Sequence, residues 1–228
     1  MKSNFILTSL LVLLFILASP DISGQPKSKS NIQTIVNGRV WVPTVSVSSG
    51  EQFFLEKMNL KGSFFYEGLQ FNNVKFSYDL AEEIVITTIE TETQTKRNII
   101  INPYCLEGFN VNDHTSNFKF IRGDLLHKNL DSLTYYQVVE SRNLQYLIKR
   151  KKHRKLKSNN SNTYKYVSIN SLYIIKEGEL VPIKGKKDVL DLFPYQKKEM
   201  RKYLRGSNLK VRTKTPLDVV PLLLKFDL

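Results

Sequence analysis

Alanine occurs only twice in this chain, at Ala18 and Ala81. The strongest helix former is therefore almost missing. Residues 25–228 hold 16 Val, 14 Ile and 12 Thr in its place, side chains that suit a pleated, half-buried surface. That imbalance directs most of the chain into sheet, and the turn residues divide it into short strands.

Strands are predicted over Arg39–Val47, bent or at an edge because of Pro43, and over Gln70–Tyr78, where Val74, Phe76 and Tyr78 alternate. Glu83–Thr91 and Arg97–Asn102 follow across short turns, and Phe118–Ile121 adds another short strand. Leu133–Glu140 and Leu144–Arg150 form a hairpin, as do Leu172–Lys176 and Leu180–Ile183 across Glu177-Gly178-Glu179, with Tyr164–Ile169 between the two hairpins. After Gly185 the period turns helical. Lys186–Phe193 carries Val189 and Leu190, and Gln196–Arg205 carries Met200, Tyr203 and Leu204, with Gly206 as its stop. Thr215-Pro216-Leu217-Asp218 has the pattern of a helix start, leading into a buried face of Leu217, Val220, Leu223 and Leu224 that Pro221 should kink. The expected class is α+β, mainly β: an antiparallel meander or partial barrel at 38–183, including a basic loop at 149–163, followed by a small helical cap at 184–228.

The beginning reads differently. Lys2, an apolar run from Phe5 to Ala18, and small residues at Ser19, Ser23 and Gly24 have the layout of a secretory signal. That run is shorter than the roughly 20 apolar residues a membrane span needs. The expected division is a signal peptide at 1–24, a mobile polar lead-in at 25–37, and an exported protein, periplasmic, outer-membrane-associated or secreted, with no span of its own. Cys105, the only cysteine, excludes an intramolecular disulfide and reads best as a small buried hydrophobe.

Charge divides the chain unequally. Residues 25–140 hold 11 Lys/Arg against 13 Asp/Glu, a net −2, and residues 141–228 hold 22 against 7, a net +15, so the whole excess lies in the last 88 residues. An AT-rich genome raises lysine everywhere but leaves this asymmetry unexplained. The excess has two centres. One is the run Lys149, Arg150, Lys151, Lys152, Arg154, Lys155 and Lys157, with His153 among them. The other is Lys197, Lys198, Arg201, Lys202 and Arg205 on the second helix. Such runs are either solvated surface or sites for anions. Export makes nucleic acid a poor partner for them.

Catalytic patterns are few. No Gly-rich phosphate loop, nucleophile elbow or His-Glu-x-x-His motif is present. Asp113-His114 and Asp124 near His127 are the only acid–histidine neighbours, and their spacing suits no metal site. No cofactor, metal or catalytic residue is expected, and enzyme activity stays open through Asp/His or Asp/Glu pairs.

Val74-Lys75-Phe76-Ser77-Tyr78-Asp79, the hairpin ending Tyr146-Leu147-Ile148-Lys149-Arg150, and Lys187-Asp188-Val189-Leu190-Asp191-Leu192-Phe193, behind a leader, resemble a group of exported proteins of AT-rich Gram-negative bacteria. The resemblance spans most of residues 25–228. It implies an exported β-rich protein with a helical tail, and no reaction. The functional expectation is a non-enzymatic envelope protein whose basic part binds lipid phosphate, an acidic glycan or an acidic protein. A scaffold with incidental charge and an envelope hydrolase are the alternatives.

Overall fold

The computed structural model describes residues 28–29, 38–43, 48–49, 51–91, 93–113, 116–157 and 163–227. The expected signal peptide, nearly all of the lead-in, His114 and residues 158–162 lie outside them.

The strands are β1 (Ser28–Lys29), β2 (Arg39–Val40), β3 (Ser48–Ser49), β4 (Leu60–Tyr66), β5 (Leu69–Asp79), β6 (Ile84–Glu90), β7 (Lys96–Ile100), β8 (Leu106–Asp113) and β9 (Ser116–Arg122). They continue with β10 (Tyr135–Glu140), β11 (Leu144–Lys149), β12 (Lys152–Leu156), β13 (Tyr164–Ser168), β14 (Ser171–Lys176) and β15 (Glu179–Ile183). One open sheet runs in the order β15-β14-β11-β10-β9-β8-β4-β5-β6-β7-β2, with β1 parallel to β5. A separate three-stranded sheet joins β12, β13 and β3. The class is mainly β with a small helical region, as the composition predicts.

Turn chemistry fixes the hairpins. Glu67 and Gly68 between β4 and β5 both have positive φ, 49° and 71°, the conformation of a two-residue turn whose twist matches the strands it joins. Glu177 and Gly178 repeat it at 53° and 79° between β14 and β15. Within β5 the buried apolar residues are Phe71, Val74, Phe76 and Tyr78, so their parity changes between 71 and 74. A bulge makes the change: Gly62 faces Val74 while Phe64 faces Phe71, and Asn73 takes φ 55°. The extra residue keeps all four apolar side chains on one face and bends the strand.

That face encloses an aromatic core. Phe109 stacks on Phe120 at 4.8 Å and meets Phe76, Tyr78 and Tyr135 edge-on at 5.5, 5.1 and 5.2 Å. Farther along the same sheet Leu144, Tyr146, Ile148, Leu172 and Ile174 are buried under the helices. These are α2 (Lys186–Asp191), α3 (Lys197–Gly206) and α4 (Val220–Phe226); a shorter helix, α1 (Gly123–Leu126), follows β9. Leu130, Tyr136, Val138 and Leu147 form a third cluster.

Three expectations change. β8 was not anticipated; it supplies Phe109 and Val111, both fully buried. The last helix begins with a 3-10 turn at Pro216–Val219, so Pro221 sits in the first turn of α4, where its missing N–H has no partner to lose. The buried face then becomes Val219, Leu222, Leu223 and Phe226, while Leu217 and Leu224 are exposed. Thr215 makes no side-chain cap, and Gly206 is the last residue of α3 rather than beyond it.

Candidate anion-binding surface

Most of the lysine run is strand, not loop. Lys149 ends β11, and β12 pairs with β13 so that Lys152 faces Ser168, His153 faces Val167, Arg154 faces Tyr166, Lys155 faces Lys165 and Leu156 faces Tyr164. A cation–aromatic contact holds this arm together, with the Arg154 guanidinium 4.6 Å from the Tyr164 ring centre. Such contacts contribute about 0.5–1 kcal/mol at exposed sites. They offset the repulsion that makes a run of like charges look unstructured.

The first four cations of the run fasten the arm to the body. Lys149 Nζ lies 3.4 Å from Glu83 Oε1 and donates to Thr134 Oγ1 at 3.2 Å. Lys151 Nζ meets the other oxygen of Glu83 at 2.5 Å. Arg150 Nε donates to Gln137 Oε1 at 2.5 Å, and its guanidinium lies 5.5 Å from the Phe54 ring centre. Burial pushes that guanidinium down to about 10, against the pull of Tyr146 and Tyr78. Lys152 Nζ donates to the carbonyls of Glu51 and Phe53 at 2.6 and 3.1 Å, and burial lowers its pKa too.

Across a cleft of about 370 Å³ at the root of the arm, lined by Trp41, Glu82 and Tyr166, the buried carboxylate of Asp79 organises the turn. It accepts from the N–H groups of Ala81 and Glu82 at 2.8 and 3.1 Å and from the Gln52 amide. Gln52 in turn accepts from the Tyr166 hydroxyl at 2.8 Å. Burial raises the Asp79 pKa more than these hydrogen bonds lower it.

The outer part of the arm differs. Lys155 and Lys157 are exposed, and so are His153 and Lys165. Among the described residues no carboxylate lies within ion-pair distance of Lys155, Lys157 or Lys165. Strand alternation puts His153, Lys155, Lys165 and Val167 on one face. The opposite face holds Tyr164 and Tyr166, both partly buried. Lys165 stands outside the predicted run, because only the register shows that it faces Lys155.

The second predicted centre is a separate surface. Lys198, Arg201, Lys202 and Arg205 are exposed on α3, at the i, i+4 spacings where like charges repel. Lys197 is tied to Asp191 at 2.7 Å, and this contact holds the Asp191 carboxyl below its usual range. α3 packs on α2 and α4, whereas the arm is rooted at Leu80, Glu83 and Gln137.

Of the two acid–histidine pairs, His114 lies outside the described residues, and Asp124 and His127 each bond to another partner. Asp113 ends β8 opposite Ser116, the first residue of β9, and Asp124 lies just past the last, so a strand of about 20 Å separates them. Arg122 binds Asp124 through Nε at 2.7 Å and a terminal nitrogen at 3.1 Å and lowers its pKa. His127 Nδ1 accepts from the Asn129 N–H at 3.1 Å. Cys105 is partly buried against the aromatic core, and its hydrogen bond to Glu67 leads in raising its pKa. No cluster of His, Cys, Asp and Glu able to hold a metal is found among the described residues, and none of their helices is long and apolar enough to cross a membrane. Comparison with known proteins returns no matching family model, no similar curated protein and no similar solved structure.

Proposed function

We propose that this protein is an exported, non-enzymatic binder of an anionic partner, with the outer half of the β12–β13 arm as its principal contact. The observation that carries this reading is the contrast along one lysine run. The cations at its root are matched by Glu83, Gln137 and backbone carbonyls, whereas Lys155 and Lys157 of its outer half are exposed with no carboxylate within ion-pair distance among the described residues, and Lys155 faces Lys165. Like charges directly opposite in a strand pair are destabilising, and an anion spanning Lys155 and Lys165 relieves the repulsion. The exposed cations of α3 supply a second, weaker contact.

The test is binding of residues 25–228, which include every described residue, to anionic vesicles, neutral vesicles and soluble polyphosphate at low and high salt. Salt-sensitive binding to the anionic ligands alone is expected. Equal binding to neutral vesicles, or no dependence on salt, refutes the proposal. A scaffold reading draws support from the outer edge of β12, which pairs with β13 alone among the described strands. Such an edge accepts a strand from another chain, and that binding resists salt.

A further inference from the structure

The outward face of the arm is not purely cationic. Val167 stands beside His153, two residues along β13 from Lys165, and it is 38% exposed. Ile169 continues the face, with its N–H donating to the Lys151 carbonyl at 2.8 Å and 53% of its surface exposed. One plate thus carries two β-branched apolar side chains and, one step farther out, Lys155 and Lys165, which have no ion-pair partner among the described residues. From Ile169 to Lys165 it is about 13 Å long at the usual strand rise.

We infer that this plate docks on an anionic lipid surface, Val167 and Ile169 entering the headgroup boundary while Lys155, Lys157 and Lys165 meet lipid phosphate. The inference rests on the anion-binding reading above and narrows its partner to one chemistry. An interfacial element combines buried apolar area with attraction to anionic lipid, and both ingredients are present on this face. A soluble polyanion uses the cations and leaves the apolar pair in water. Single-stranded nucleic acid needs aromatic faces on which bases stack. The aromatic rings of the arm point the other way, with the Tyr166 hydroxyl tied to Gln52 and Tyr164 lying under Arg154.

Two double variants separate the ingredients. Val167→Ser with Ile169→Ser removes the apolar pair and keeps every charge. Lys155→Glu with Lys165→Glu reverses the cations and keeps the apolar pair. Binding of each to phosphatidylglycerol vesicles and to soluble polyphosphate is measured, with near-ultraviolet circular dichroism to show that the body is folded. The serine pair should weaken vesicle binding about tenfold and leave polyphosphate binding unchanged, since about 1.4 kcal/mol of apolar burial corresponds to tenfold. The glutamate pair should weaken both. If the serine pair leaves vesicle binding intact while the glutamate pair abolishes it, the lipid inference falls and the anion reading stands. If the unaltered protein binds neither ligand, both fall.

Discussion

Lys165→Glu should make the arm more stable and its binding weaker, and the two effects can be worked out separately. Lys165 faces Lys155 directly across the strand pair. Directly opposed like charges destabilise, and opposite charges contribute roughly 0.2–1 kcal/mol, so reversing one sign changes the pair by about 0.4–2 kcal/mol. In native-state hydrogen exchange this appears as roughly 2- to 30-fold greater protection of amides in β12 and β13, because an arm of this kind opens locally. The same substitution changes the charge on the outward face by two units. At about 1 kcal/mol per cation near an anionic surface, affinity for phosphatidylglycerol vesicles falls roughly 30-fold at low salt. The loss largely disappears near 1 M salt, where the screening length is about 3 Å. Lys128→Glu changes the charge equally at another exposed position and should have a much smaller effect on binding. Unchanged or reduced protection in the arm refutes the repulsion argument. Equal weakening by Lys128→Glu shows that net charge acts, and not this surface.

Other predictions concern the body. The Tyr78 hydroxyl is fully buried without a hydrogen-bond partner among the described residues, so Tyr78→Phe should stabilise by about 1–3 kcal/mol in urea unfolding, and a loss of stability shows that the hydroxyl is satisfied. Burial leads in raising the Asp79 pKa, so its neutral form is the one favoured by folding. That contribution is complete below the ordinary carboxylate range and is lost as pH rises through the raised value. Asp79→Asn removes it, so the wild type should lose stability relative to the variant from pH 4 upward, and a relative gain contradicts the assignment. A Cβ on Gly62 would lie 1.8 Å from the Asn110 carbonyl oxygen, a backbone atom, so Gly62→Ala should lower the melting temperature by several degrees, whereas an unchanged value means that β4 and β8 can separate.

Much of the fold is legible because strand composition and turn residues agree. The hairpins at Glu177-Gly178 and at Ser141–Asn143 lie where turn chemistry puts them. β8 escaped because Gly108, Asn110 and Asn112 read as turn residues, although Phe109 and Val111 between them are core. Gly108 has a neighbouring backbone too close for any side chain: a Cβ there would lie 2.4 Å from the Phe120 carbonyl oxygen. In β5, the parity break between Phe71 and Val74 shows in the sequence only as an irregularity, and the bulge at Asn73 explains it. The candidate site was half legible. The run from Lys149 to Lys157 marks the right segment, but sequence does not separate the cations that fasten the arm from Lys155 and Lys157, which are exposed and have no ion-pair partner among the described residues. That separation depends on Glu83, Gln137 and Glu51, each far away in the chain. Lys165 and Ile169 join the surface only through the strand register.

The mounting of the arm sets how any docked molecule would sit. Glu83 grips Lys151, the Leu80 carbonyl accepts from the Lys152 N–H at 2.9 Å, and Gln52 holds Tyr166 on the other strand. A hairpin braced at both legs has little freedom to swivel, so much of its ordering entropy is already spent in folding and less is lost on contact. Attachment would then fix the tilt of the entire sheet relative to whatever it lands on, and with it the direction in which the helices are presented.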